Sequence, residues 1–174
     1  MRFESQKTSD QSLAVLLAVL GMLFRLAPHP ENFTPTMAIA LFSGVTLPPA
    51  LALIVPLLVM MATDLVIGLH SLYWLVWASF AAVVLIGVRI RHSNGFFPIG
   101  AAAFSGSLIF FLTTNLGVFL FENMYPRTWQ GLRECFVMAV PFFRNSLAGD
   151  MFYTVVFFSL FAGAQWMRQP KKAS

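Results

Sequence analysis

Apolar stretches of helical length, separated by short polar or proline-rich turns, set the pattern of this chain. Residues 12–27 form an apolar run closed by Pro28, long enough for one membrane crossing, with Arg25 near its end and within reach of headgroups. A polar turn, residues 28–32, follows, and the apolar stretch after it, residues 33–68, exceeds a single crossing. Pro48 and Pro49 break it, because tandem prolines remove donors and push the preceding residue out of helical geometry. The pattern therefore predicts a short helix over 34–47, about 20 Å long against a hydrocarbon core of about 30 Å. A full-length helix over 49–68, with Pro56 as a kink, comes next. Further helices are predicted over 72–88, 98–121 and 146–167. The longest polar connection lies between the last two and carries an apolar patch too short to span, so residues 130–143 read as interfacial or re-entrant.

Composition turns this pattern into a membrane assignment. The 174 residues are 58% hydrophobic and 10% charged, with a mean hydropathy of +0.76, whereas soluble domains carry about 25% charged residues. The fold class expected is an all-α integral membrane protein, a six-transmembrane-helix bundle forming a single domain over 1–174. The formal charge of +4 does not indicate nucleic acid, since the basic residues sit at the termini and in short loops. Arg2, Lys7, Arg89, Arg91, Arg168, Lys171 and Lys172 fall on the side of the termini, seven against the four of Arg25, Arg127, Arg133 and Arg144. That bias predicts cytoplasmic termini and a multi-pass protein of the inner (cytoplasmic) membrane. Cys135 is the only cysteine, which excludes an intrachain disulfide and a multi-cysteine metal site; no metal or cofactor is expected.

The predicted topology puts most intramembrane polar groups at one depth. Arg25, Asn32, Thr34 and Thr36, Asp64 near the end of the third helix, Thr113, Thr114 and Asn115 in the fifth, and Asp150 and Tyr153 in the last all fall in the outer half. The inner half is almost uniformly apolar. A channel or proton pump needs polar groups through the full thickness, so the arrangement reads as an outward-facing cup that binds a small solute. Candidate substrate-binding residues are Arg25, Asn32, Thr34, Asp64, Asn115, Tyr125, Arg127, Arg144, Asn145, Asp150 and Tyr153, with Phe33, Tyr125, Trp129, Phe142 and Phe143 as aromatic walls. A plainer reading has Asp64 and Asp150 paired with Arg25 or Arg144 to hold helix ends, and Trp74 and Trp77 in an interfacial belt. Ala14 and Ala18 make a small-xxx-small pattern in the first helix, which serves close helix packing.

The motifs PENFTPTMAIALFSG, TDLVIGLHS, TTNLGVF, YPRTWQGL and PFFRNSLAGDMFYT resemble those of a family of small bacterial membrane proteins that is itself similar to the substrate-binding S components of energy-coupling factor (ECF) transporters. The resemblance covers most of the chain beyond the first helix. It implies a six-helix bundle that captures a micronutrient, typically a vitamin or its precursor, and docks on a transmembrane T component driven by two ATPase subunits. S components often use an AxxxA face of the first helix for that contact, which Ala14 and Ala18 match. The chain has no GxxxxGK[ST] loop of its own, so any ATP-driven step belongs to other subunits.

Two other classes remain as alternatives. An intramembrane hydrolase would use Asp64 and Asp150 as a carboxylate pair, yet residues 147–150 read LAGD rather than GxGD, and neither HExxH nor GxSxG occurs; the expectation is that the protein is not an enzyme. A non-catalytic accessory subunit would use its small-residue faces to join a larger membrane complex.

Overall fold

The computed structural model describes residues 8–69, 71–93 and 95–168. The sequence readings of Arg2, Lys7, Lys171 and Lys172 lie outside them. The described chain is all-α, with six helices: α1 (Thr8–Leu26), α2 (Thr36–Thr46), α3 (Pro49–Ile67), α4 (Tyr73–Ile90), α5 (Phe97–Phe121) and α6 (Trp129–Arg168). Five are long and apolar enough to cross a membrane, which makes this a multi-pass membrane protein by length and composition. The expected sixth crossing, α2, has only 11 residues and measures about 16 Å. It forms the enclosed centre of the bundle, and every one of its residues is buried.

The boundaries of α2 and α3 follow from local chemistry. Leu47 is extended (ψ 154°), as a residue before proline must be, and ends α2. Pro49 then occupies the first turn of α3, where its missing N–H costs nothing. Around α2 the other helices pack by small residues and aromatic rings. Gly44 of α2 and Gly87 of α4 touch backbone to backbone. Phe42 sits edge-on to Phe158 and Phe161 of α6, with ring centres at 5.2 and 5.4 Å. Ala14, Ala18 and Gly21 line one stripe of α1, and a β-carbon on Gly21 would meet Ile39 and Phe157. Arg91, just past α4, donates through Nη2 to the carbonyls of Gly44 (2.8 Å) and Leu47 (3.1 Å). It thereby caps the C-terminal end of α2, where the helix dipole favours a cation. The start of α1 and the end of α6 lie together, joined by Arg168–Asp10 at 3.3 Å and Gln165–Asp10 at 3.1 Å.

The last helix departs from expectation. Residues 130–143 are not a separate interfacial or re-entrant segment, and the chain does not break before Ser146; α6 is one helix of 40 residues, about 60 Å long. Pro141 lies inside it. A proline removes one i→i−4 bond at a cost of about 3 kcal/mol, but a break in apolar surroundings would leave several backbone groups unsatisfied, each at a cost of several kcal/mol. The early part of α6 is also held by α5: Phe111 packs on Phe136 and Phe143 at 5.5 and 4.6 Å, and the Cys135 thiol donates to the Asn115 carbonyl at 3.4 Å.

Candidate functional site

Because α2 is short and its neighbours are long, space remains beyond its N-terminal end. A chamber of about 200 Å³ opens there, lined by Arg25, Asn32, Thr34, Thr36, Met37, Met60, Val76, Phe80, Phe110, Ser146 and Asp150. A second, of about 320 Å³, shares Asn32, Val76, Phe110 and Ser146 with it and continues between α4, α5 and α6 along Phe111, Thr114, Asn115, Phe142 and Phe143. The first is the polar compartment, the second the aromatic one. Below them, α2 and the rings around Phe42 fill the bundle, with Ile39, Leu41 and Phe42 fully buried.

The two charged wall residues are positioned by the phase of their helices. Arg25 continues the buried Ala14–Ala18–Gly21 stripe of α1 and reaches Asp64 near the end of α3, Nη2 to Oδ1, at 2.7 Å. Trp77 Nε1 donates to the other Asp64 oxygen at 2.9 Å. The carboxylate is thus matched by a cation and an indole, while Arg25 Nη1 stays buried without a hydrogen-bond partner. Asp150 lies on the inward stripe of α6 that continues through Thr154, Phe157, Phe158 and Phe161. It is 6% exposed, and its Oδ2 accepts a hydrogen bond from Ser107 at 2.6 Å. No described cation pairs with it. The N-terminus of α2, which has no side-chain cap, adds about half a positive charge at the chamber floor. Thr36 donates to Thr34 at 3.3 Å beside it.

Of the residues expected to bind solute, Arg25, Asn32, Thr34 and Asp150 meet in the polar compartment and Asn115 lines the aromatic one, its Nδ2 donating to Phe111 O at 2.7 Å. The others lie elsewhere. Asp64 is consumed by Arg25 and Trp77 and lines neither compartment. Arg127, Arg144 and Asn145 are exposed, and Tyr125 is outside the walls. Tyr153 packs its ring on Phe33 at 5.6 Å and on Phe152 at 5.2 Å rather than facing the space. Of the aromatic walls, Phe142 and Phe143 are present, whereas Trp129 is 83% exposed and Phe33 packs on Phe152 and Tyr153. Ala14 and Ala18 are 0% exposed. Their stripe packs inside the bundle, so the small-residue face is a core contact and not an open docking surface.

Ser107, Ser146, Phe110 and Trp77 were not singled out as site residues. Trp77 carried a readable signal: it stands in register with Phe80, Val84 and Gly87, all buried, whereas Trp74 is out of phase and exposed. Among the described residues, no group of three or more His, Cys, Asp or Glu is placed to hold a metal ion.

Residues 5–172 match a family of unknown function, DUF6580, and the chain belongs to that family. No curated protein and no solved structure matches it.

Proposed function

We propose that the protein is a membrane-embedded binding component for uptake of a small solute, a vitamin or related micronutrient, with energy from partner ATPase subunits. The observation that supports this reading is the two-part chamber over the short central helix: polar at Arg25 and Asp150, aromatic at Phe110, Phe142 and Phe143, and backed by a core packed with Ile39, Leu41, Phe42, Phe158 and Phe161. Concave sites with apolar walls and a few placed polar groups are what small-molecule binding requires. The resemblance to S components of ECF transporters supports the same reading and supplies the partners, a T component and two ATPases. The inner membrane and cytoplasmic termini belong to this proposal, on the lysine and arginine bias. Engagement of Asp64 by Arg25 and Trp77 counts against a carboxylate pair with Asp150, and hence against the hydrolase alternative.

Native mass spectrometry of the protein gently purified from its host tests the proposal. Expected is a vitamin-sized adduct together with T-component and ATPase subunits. A folded protein that carries neither the adduct nor T-component and ATPase subunits would overturn the reading and favour an accessory subunit.

A further inference from the structure

The charge pattern of the polar compartment specifies the ligand more closely. Its charged wall residues are Arg25 and Asp150. Arg25 already has its counter-charge in Asp64 at 2.7 Å, and Asp64 is completed by the Trp77 indole. What Arg25 still offers is one donor nitrogen, the buried and unpartnered Nη1, with its two N–H groups. Asp150 differs. It is more than nine-tenths buried, lines the space, and among the described residues accepts a hydrogen bond only from the Ser107 hydroxyl, through Oδ2. A hydroxyl supplies a partial charge where a buried carboxylate calls for a full one. The partial positive charge of the α2 N-terminus offsets only part of this deficit. Beyond Asp150 the shared wall residue Phe110 leads into a compartment flanked by Phe111, Phe142 and Phe143, and aromatic faces attract cations and stack on flat rings.

We infer that the chamber takes a cationic nitrogen ligand, a protonated amine or amidine carried on a flat apolar ring. The nitrogen sits at Asp150 and the ring among Phe110, Phe111, Phe142 and Phe143. An acceptor atom on the same ligand meets Arg25 Nη1. This rests on the reading of the chamber as a solute site and narrows its substrate class.

The test uses the full chain in lipid nanodiscs with three small single-ring probes that differ in charge: benzylamine, benzyl alcohol and benzoate. Binding is read by thermal shift and by calorimetry. Expected is benzylamine affinity at least about tenfold above that of benzyl alcohol, with no binding of benzoate, and a loss of about 30-fold in Asp150→Asn. If Asp150→Asn does not fold, the order of the three probes on the native chain decides. Preference for benzyl alcohol or benzoate, or undiminished benzylamine binding in a folded Asp150→Asn, overturns the inference while the uptake reading stands. Binding of none of the three also overturns it, and the uptake reading then depends on the adduct and partners seen by mass spectrometry.

Discussion

Gly44 and Gly87 meet with no room for a side chain between them: a β-carbon on Gly87 would stand 2.6 Å from the Leu41 carbonyl oxygen and 2.9 Å from Gly44 Cα. One on Gly44 would overlap the Val84 carbonyl oxygen. The obstacles are backbone atoms of two packed helices, which cannot rotate away as a side-chain tip does. Gly44→Ala and Gly87→Ala are each expected to cost about 3 kcal/mol, a fall of roughly 6–12 °C in the melting midpoint in detergent. Gly100→Ala, with nothing within 4 Å of the added carbon, is the control and leaves the midpoint unchanged or slightly raised.

Arg25 and Asp64 form a pair whose side chains are 15% and 3% exposed. Removing one partner leaves the other charge buried, so Asp64→Leu and Arg25→Met are each expected to destabilise by about 3 kcal/mol. Arg25→Met with Asp64→Leu removes both charges and recovers most of that loss. A double-mutant cycle on thermal stability reads the coupling; additive losses would mean that the two side chains do not interact.

Arg91 holds two carbonyls at the end of α2 with a single nitrogen. Arg91→Ala is expected to cost about 2 kcal/mol, within the range for hydrogen bonds from a charged group, and Arg91→Lys to restore only part of it. Hydrogen exchange localises the effect: the amide of Leu47, bonded to Ser43 O at 2.9 Å, should exchange faster, while amides in the middle of α5 should not.

Helix boundaries were legible in the sequence wherever a proline or a polar turn coincided with the end of a hydrophobic run, as at Pro28 and at Pro48 with Pro49. The same rule misplaced the start of α6. Pro141, Arg144 and Asn145 look like a break, but all three are exposed side chains on one continuous helix. The site was legible in depth and not in direction. Arg144, Asn145 and Asp150 lie within two turns of one another on α6, yet only Asp150 falls on the stripe with Thr154, Phe157 and Phe161, and only it faces the chamber. Helical phase separates Trp77 from Trp74 in the same way. No periodicity reveals that Ser107 would meet Asp150, because that contact depends on how α5 and α6 align.

The continuity of α6 makes a direct prediction of distance. Spin labels on Val137→Cys and Val155→Cys in a Cys135→Ser background, at two exposed positions, should give a backbone separation of about 27 Å, the rise over 18 residues. A break at Pro141 that folded residues 130–143 back would shorten it by at least about 10 Å. Pulsed electron paramagnetic resonance separates the two, and label flexibility broadens the distribution without moving its centre that far.

Gly149 links α6 to the turn that walls the chamber. A β-carbon there would lie 3.1 Å from Phe33 Cα and 3.2 Å from the Thr34 amide nitrogen, so the turn rests directly on the helix one residue before Asp150. Phe33 is held in place by Phe152 and Tyr153 at 5.9 and 5.6 Å, and Asn32 adopts a left-handed backbone (φ 59°) as the chain bends toward α2. Asparagine is among the few residues that take this conformation readily. Adding bulk at 149 therefore displaces the turn, whose attachment is weaker than that of α2 beneath it. Gly149→Val should open the chamber with a smaller loss of stability than Gly44→Ala causes. Thr34→Cys, in a Cys135→Ser background, reports the opening: its reaction with a water-soluble maleimide should speed up several-fold when Gly149→Val is added. An unchanged rate in a folded protein would mean that the turn does not close the chamber.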